Sequence, residues 1–352
     1  MQKLDIKSLN REEIAEWISK NGYPSFRASQ IFLWLQKGVA SFDEMANLPS
    51  DLRKFLNEHC YIAVTKIETR LESKKDGTVK YLFRLFDGEY IETVLMKYKY
   101  GYTVCISTQV GCRMGCKFCA TGLSGLKRNL TASEMLSQVK TAEIDNNVRI
   151  SHIVMMGMGE PLDNYDNSVK FLRLVSSDEG MNIGLRNISL STSGIVSGIK
   201  KLSEEGLPIT LSVSLHAPND EIRNSIMPVN NKWNVDSLLS ACRDYIKATK
   251  RRISFEYALI DGVNNTDECA VLLAKKLKNM LCHVNLIPAN PVAENGFKKP
   301  DRKKTEHFMN LLIKNGINAT VRRTLGSDID ASCGQLRGQH IKKEVARIEN
   351  SK

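Results

Sequence analysis

From residue 102 to the end of the chain, apolar strand-like runs alternate with helical patterns. The strand-like runs are 103–107, 152–156, 188–192, 210–215, 254–259, 284–287 and 319–322. The helical patterns between them are 131–143, 168–175, 195–205, 235–247, 267–278 and 303–315. Such alternation requires parallel strands joined by right-handed crossover helices. About six βα units predict an α/β fold with a partial (β/α)6 barrel, rather than the closed eight-stranded barrel.

The first 100 residues have a different pattern. Residues 11–20, 25–37 and 51–59 carry apolar residues at helical spacing, and their aromatic side chains, Phe26 among them, are expected in a core. Two strand-like runs then flank Asp87-Gly88, which is a strong hairpin signal. The domains expected from these patterns are a helical accessory unit (1–60), a β-hairpin extension (61–97), the barrel (98–328), and a C-terminal loop and tail (329–352).

Composition limits the compartment and the partners. Among the 352 residues there is no apolar run of about 20 residues, and the N-terminus has no secretory h-region, so we expect a cytoplasmic protein that needs no membrane. Nine cysteines, an odd number, suit a reducing compartment. A net charge of +11 favours a polyanionic partner such as a nucleic acid.

Three cysteines stand close together after the first strand-like run. Cys112, Cys116 and Cys119 have the spacing C-x3-C-x2-C. Short cysteine spacings hold iron–sulfur clusters, which normally take four thiolates. Three ligands would leave one iron open for chemistry, whereas a zinc knuckle, or an electron carrier with Cys105 as fourth ligand, would be closed. We favour the open cluster and keep the closed site as the alternative.

Glycine and polar residues follow several predicted strands. Gly157 and Gly159 could let a ligand approach the backbone, and Glu160 could accept hydrogen bonds from an ammonium group. The carboxyl ends of barrel strands meet at one mouth, so we expect the polar residues there to share a binding site. His216 could be a base or a neutral structural imidazole. The polar residues at the ends of later runs are Ser191, Ser214, His216 and Asn290.

Taken together, these motifs resemble the RlmN/Cfr family of radical S-adenosylmethionine methyltransferases, which act on an adenosine of 23S ribosomal RNA. The resemblance covers nearly the whole chain. It is carried by residues 105–112, the cysteine spacing, Gly-Met-Gly-Glu-Pro at 157–161 and Asp-Ile-Asp-Ala-Ser-Cys-Gly-Gln-Leu at 328–336. One departure is Ser332, where the family usually has alanine; the small hydroxyl is expected to be tolerated.

The resemblance implies specific roles for these residues. Cys112, Cys116 and Cys119 would hold a 4Fe–4S cluster whose open iron binds S-adenosylmethionine. Cys333 matches the cysteine that accepts a methyl group, and Cys105 the cysteine that resolves the RNA adduct. Glu92 matches a proton acceptor, although its strand pattern alone indicates a solvent-facing position. Residues that match S-adenosylmethionine contacts are Gly159, Glu160, Ser191, Ser214, Leu215, His216 and Asn290.

The implied chemistry suits an adenine ring, whose C2 and C8 carbons are electron-poor and lack a nucleophilic lone pair. A methyl group carried on Cys333 can lose hydrogen to a 5′-deoxyadenosyl radical and add to the ring as a carbon radical. A Cys105 thiolate can then help remove the ring proton and form a disulfide with Cys333, which releases the product. Covalent catalysis of this kind divides one inaccessible step into accessible ones, and the target base must leave its stack.

The resemblance favours methylation at C2, in 23S rRNA and in the anticodon loop of some tRNAs. Residues 159–161 and 191–194 resemble the C2 branch of the family. The C8 branch, which confers antibiotic resistance, tends to carry alanine after the glutamate and isoleucine in the serine–threonine turn. A rival from another class is an iron–sulfur electron-transfer protein that binds no RNA. We also expect a flavodoxin- or ferredoxin-like electron donor and a monomer.

The net charge predicts how RNA binding depends on salt. If the charge of +11 serves to bind RNA, affinity should fall steeply as salt rises, because counterions are released from several phosphates. Filter binding across a salt series measures the slope. Affinity that stays flat across the series would show that the charge has another purpose.

Overall fold

The computed structural model describes residues 3–288, 296–329, 336–338 and 340. Its strands are β1 (Leu4–Asp5), β2 (Cys60–Tyr61), β3 (Lys66–Glu72), β4 (Val79–Arg84), β5 (Tyr90–Tyr98), β6 (Gly101–Cys105), β7 (Gln109–Gly111), β8 (Leu126–Asn129), β9 (Ile150–Met155), β10 (Ile188–Thr192), β11 (Thr210–Ser214), β12 (Ile253–Leu259), β13 (Cys282–Pro288) and β14 (Ala319–Val321). Its α-helices are α1 (Arg11–Lys20), α2 (Arg27–Lys37), α3 (Ser50–His59), α4 (Ala120–Leu123), α5 (Ala132–Asn146), α6 (Tyr165–Val175), α7 (Val196–Glu204), α8 (Asp220–Ile226), α9 (Val235–Thr249), α10 (Asp267–Leu277) and α11 (Arg302–Lys314).

A ten-stranded sheet forms the main body, in the order β14-β13-β12-β11-β10-β9-β6-β5-β4-β3. The strands from β6 through β14 in this order pair in parallel. This confirms the predicted α/β alternation. The sheet is open, with β14 and β3 at its two ends, as expected for a partial rather than a closed barrel. The carboxyl ends of the parallel strands therefore share one edge, where such folds place their sites.

The buried apolar residues of the N-terminal helices belong to the same core as those of the sheet and its helices. Asn10 caps α1 with a capping box, and the buried side chains of Ile14 and Ile18 lie one turn apart on its inner face. α2 ends at Gly38, which adopts the left-handed conformation that favours glycine. The expectation that Phe26 is a core residue is wrong, because its side chain is 60% exposed. No helix of the described ranges is long and apolar enough to cross a membrane.

An antiparallel extension joins one side of the parallel sheet. β3, β4, β5 and β6 pair in that order, and the predicted hairpin between β4 and β5 is confirmed, with Gly88 at φ 85°. The sequence analysis missed β3, whose residues lie mostly on the surface and so show little hydrophobic periodicity. Val94 of β5 pairs with Cys105 of β6, and the extension therefore borders the site.

A buried glutamine fixes the point at which the chain leaves β6. The side-chain oxygen of Gln138, on α5, accepts hydrogen bonds from the Thr93 hydroxyl and the Ser107 backbone N–H, both at 2.8 Å. Its amide nitrogen donates to the Ser107 carbonyl at 2.9 Å. Both backbone groups of Ser107 are thus satisfied away from water, where an unpaired group is costly.

Replacing this glutamine tests its contribution to the fold. Gln138→Leu keeps the volume but leaves two buried backbone groups without these partners, which should cost about 2–4 kcal/mol of unfolding free energy. Chemical denaturation measures the loss, with Gln36→Leu on the half-buried face of α2 as the matched control. Equal stability of the two variants would contradict the assignment.

Candidate active site

A cavity of about 400 Å³ opens at the carboxyl edge of the parallel strands, within the size range of small-molecule sites. It brings together most of the residues predicted from sequence: Cys105, Cys112, Cys116, Cys119, Gly159, Glu160, Ser191, Ser214 and His216. Leu215 is fully buried beside them and does not line the cavity. Asn290 and Cys333 lie outside the described residues.

The loop that carries the three clustered cysteines is held at both ends. At its start, the backbone N–H of Cys112 donates to the carbonyl of Gly125 at 2.8 Å, in the β7–β8 hairpin. Gly111 has φ +79°, and a Cβ there would lie 1.9 Å from that same carbonyl oxygen, so only glycine permits the contact. Further along, the N–H of Lys117 donates to the carbonyl of Ile226 at the end of α8 (2.9 Å).

The electrostatics of the three thiols suit a metal cluster. Burial raises the pKa of Cys112 to about 12. Burial also raises the pKa of Cys116, and the neighbouring thiolates of Cys119 and Cys112 raise it further. Metal ligation requires thiolates, and a cationic centre shared among the three sulfurs offsets both the burial and their repulsion. The donor set therefore fits an iron–sulfur cluster.

Cys112, Cys116 and Cys119 can be compared with the ligands of a single metal ion and with those of a cluster. Within the part of the chain that the structure describes, no three His, Cys, Asp or Glu side chains are placed to hold one metal ion. In a 4Fe–4S cluster each cysteine binds a different iron, so its ligands stand further apart than those around one ion.

The two glycines after β9 pack against the segment that leads into the cysteine loop. A Cβ at Gly157 would lie 2.6 Å from the carbonyl oxygen of Ile106, and one at Gly159 would lie 2.7 Å from the backbone nitrogen of Gln109. The space beside both glycines is thus filled by the chain that leads into the cysteine loop. The glycines allow two backbone segments to approach each other, and both also line the cavity, so the prediction that a ligand approaches their backbone stays a prediction.

Glu160 is a buried carboxylate with backbone donors of its own. Its Oε2 accepts from the Ser193 N–H at 2.6 Å, and its Oε1 accepts from the Leu162 N–H at 3.0 Å. Burial raises the pKa of Glu160, and these hydrogen bonds act in the opposite direction. A carboxylate held by backbone N–H groups at a cavity wall can accept a hydrogen bond from an ammonium group of a ligand.

His216 is held as a neutral imidazole. Burial and, to a smaller extent, the charge of Arg223 lower its pKa to about 3. Its Nδ1 accepts a hydrogen bond from the Ala258 N–H at 2.8 Å, and its ring meets that of Phe118 edge to face, with centroids 4.8 Å apart. Of the two roles left open by the sequence, these contacts favour the structural one, because they fix the ring in place and its lowered pKa makes the imidazole a weak base near pH 7.

Glu92 is buried, which corrects the solvent-facing position indicated by its strand pattern. The side chain is 1% exposed, and its carboxylate pairs with Lys80 Nζ at 3.1 Å. Its Oε1 also accepts from the backbone N–H of Arg337 at 2.7 Å. β4 and β5 are buried on both faces, so alternation could not show which way Glu92 points. The sequence analysis missed Lys80 for the same reason.

The contact between the glycine turn and the cysteine loop can be tested directly. Gly157→Ala inserts a methyl group against the Ile106 backbone, and overpacking of this kind costs about 1–3 kcal/mol. The displaced loop should also retain less iron after reconstitution. Denaturation midpoints and iron assays measure both effects.

Gly184→Ala is the matched control, since a Cβ there meets nothing within 4 Å and should change stability by less than about 0.5 kcal/mol. Normal stability and iron content in Gly157→Ala would show that the contact is dispensable.

Comparisons with known proteins agree with this geometry. Residues 106–273 match the radical SAM superfamily, and residues 4–62 match the family described as the ribosomal RNA large subunit methyltransferase N-terminal domain. The solved structure of a radical SAM methyltransferase from Sphaerobacter thermophilus is 43% identical, with a TM-score of 0.89 over 94% of this chain and 98% of that one.

Two curated relatives match over nearly their full length. A probable dual-specificity RNA methyltransferase RlmN from Alkaliphilus oremlandii is 54% identical, over 97% of this chain and 99% of that protein. The protein of the same description from Lachnoclostridium phytofermentans is 52% identical, over 99% of this chain and 98% of its own length.

Proposed function

We propose a specific reaction for this chain, which belongs to the RlmN family of radical S-adenosylmethionine RNA methyltransferases. It methylates C2 of an adenosine in the peptidyl-transferase centre of 23S rRNA and of an anticodon-loop adenosine in some tRNAs. The observation that carries the proposal is the presence of Cys105 in the same cavity as the three clustered cysteines. Simple electron transfer requires no separate thiol in a cavity large enough for a substrate.

The family's cofactors are a 4Fe–4S cluster and S-adenosylmethionine. Cys112, Cys116 and Cys119 hold the cluster, and Glu160 accepts a hydrogen bond from the amino group of the methionine end. Ser191 and Ser214 line the same wall, and His216 holds the end of β11 against β12. Once bound, the cofactors supply an electron, a methyl group and the radical that activates it.

Cys333 and Cys105 carry the covalent steps. Cys333 accepts the methyl group, and the carbon of that group, after it has lost one hydrogen atom, bonds to the adenine ring while it is still attached to the Cys333 sulfur. Cys105, which lies at the end of β6 and lines the cavity, then attacks Cys333 to release the methylated base. Glu92 accepts the ring proton. This role is carried over from the resemblance. Glu92 lies on the strand that pairs with β6, where its carboxylate contacts Lys80 and Arg337, and it does not line the cavity of the described residues.

The N-terminal unit (1–60) binds RNA in this proposal. The match of residues 4–62 to a methyltransferase N-terminal domain supports the assignment. Residues 1–60 have eight Lys or Arg and eight Asp or Glu side chains, so the net charge of +11 that supplies affinity for phosphates comes from the rest of the chain. The exposed side chain of Phe26, beside the guanidinium of Arg27 at 4.7 Å from its ring centroid, can stack on a base. A flavodoxin- or ferredoxin-like protein donates the electron, and the enzyme acts as a monomer.

Product analysis tests the position of methylation. The reconstituted protein, a reductant and labelled S-adenosylmethionine are incubated with 23S rRNA fragments or tRNA, and the nucleosides are separated by liquid chromatography. Labelled 2-methyladenosine supports the proposal, whereas 8-methyladenosine would assign the chain to the antibiotic-resistance activity. Cleavage of S-adenosylmethionine by the reduced protein separates either activity from the electron-transfer alternative.

The two catalytic cysteines should behave oppositely when replaced. Cys105→Ala should form a covalent adduct with RNA and fail to resolve it, while Cys333→Ala and the double variant should form none. The adduct appears as a protein band that is shifted under denaturing conditions and is removed by ribonuclease. Cys105→Ala must also keep the iron content of the wild type, because Cys105 is not a cluster ligand. An adduct trapped only when Cys333 is removed would overturn the mechanism.

A further inference from the structure

Arg223 of α8 is a fully buried cation at the centre of the site's polar wall. Its side chain is 0% exposed. Its guanidinium donates to the carbonyl oxygens of Leu215 (3.0 Å), Ser193 (2.6 Å) and Ser214 (3.1 Å), and to the side-chain oxygen of Asn230 (2.9 Å). One side chain thus joins the ends of β10 and β11 to the segment that follows α8.

Ser193 links Arg223 to Glu160, the carboxylate that is expected to bind the ligand. The carbonyl of Ser193 accepts from Arg223, and the N–H of the same residue donates to Glu160 at 2.6 Å. Fixing Ser193 therefore fixes the carboxylate. The guanidinium fork matches three diverging carbonyls in a way that an ammonium group cannot.

All four acceptors of Arg223 are uncharged. Among the described residues, no carboxylate lies within ion-pair distance of this guanidinium, and Asp220 is linked to it only through Asn230, whose amide donates to Asp220 at 2.9 Å. Burial accordingly lowers the pKa of Arg223, to about 10. A buried cation is unfavourable unless negative charge compensates it. Asp220, linked through Asn230, interacts with Arg223 but makes no ion pair with it, so a further negative charge is expected close by in the loaded protein.

The cysteine loop packs against the end of the same helix. Met114, Cys116 and Phe118 contact the cluster of Ile226, Met227 and Val229. The N–H of Met227 donates to the carbonyl of Arg223 itself, at 2.7 Å. The N–H of Lys117, in the cysteine loop, donates to the carbonyl of Ile226 at the end of this helix (2.9 Å).

We propose that Arg223 is a positioning residue that provides the counter-charge of the iron–sulfur cluster and raises its reduction potential, while its fork holds the strand ends that bind S-adenosylmethionine. A 4Fe–4S cluster with three thiolates carries a net negative charge, which increases on reduction. A cation nearby in a low-dielectric interior stabilises the reduced form more than the oxidised form. The inference rests on the family's cofactors and not on which adenine carbon is methylated.

Two variants separate the charge of Arg223 from its hydrogen bonds. Arg223→Gln keeps amide donors and removes the charge, so the midpoint potential of the cluster should become more negative. Arg223→Lys keeps the charge and loses the fork, so the potential should stay close to that of the wild type. Its affinity for S-adenosylmethionine should fall about tenfold or more. Potentiometric titration followed by electron paramagnetic resonance measures the first property, and equilibrium binding to the oxidised protein measures the second.

Arg243→Gln is the matched control, because it removes the same charge from an exposed side chain and should leave the potential unchanged. Asp220→Asn covers the case in which the buried variants do not fold. It keeps the acceptor for Asn230 and removes a negative charge that opposes Arg223, so the potential should become more positive.

A more negative midpoint potential in Arg223→Gln together with a more positive one in Asp220→Asn supports the proposal. If Arg223→Gln is unstable, the more positive potential of Asp220→Asn supports it alone. An unchanged potential in Asp220→Asn, or equal potentials in Arg223→Gln and Arg223→Lys, would overturn it. Each of these measurements is made without RNA, so an incorrect choice between C2 and C8 would not affect any of them.

Discussion

The rest of the site depends on one close contact between two backbone segments, where the chain leaves β6 and where it leaves β9. Beyond the ends of these strands, the N–H of Gly157 donates to the Ile106 carbonyl (3.0 Å) and the N–H of Thr108 donates to the Met158 carbonyl (2.8 Å). The parallel pairing thus continues into the loops. Because a side chain at position 157 would meet backbone atoms, the contact requires glycine. It holds the segment leading to the cysteine loop against the turn that carries Glu160.

Buried charged side chains extend this contact into a hydrogen-bonded network that leads back to the cysteine loop. Glu160 accepts from Ser193, Ser193 is held by Arg223, and the helix that carries Arg223 ends against the cysteine loop. Charges taken out of water are tolerated only when they are hydrogen-bonded and compensated. In this site the compensation comes from backbone groups and from the cofactors. Apolar residues of similar size would pack as well, so these charged groups are better explained by binding and electron transfer than by stability.

The sequence predicted the helices and strands whose apolar residues recur at regular spacing, and one turn with a clear signal. β10 begins and ends where the apolar run predicted it, α1 was predicted over its observed length, and the turn at Asp87-Gly88 formed as expected. α8 was missed because seven residues are too few to show helical periodicity. Glu92 was expected to face solvent, and Lys80 was not predicted. Both errors arise because β4 and β5 are buried on both faces. The neighbours of Gly157 could not be inferred, since a glycine indicates a close approach without identifying the partner.

Nucleoside mass spectrometry of RNA from cells that lack this protein tests the central claim most directly. The account predicts that 2-methyladenosine is lost from 23S rRNA and from a subset of tRNAs in the deletion strain. Expression of the wild-type chain should restore it, and expression of the Cys112→Ala variant, which removes one cluster ligand, should not. Persistence of 2-methyladenosine in the deletion strain, or loss of 8-methyladenosine in its place, would contradict the account.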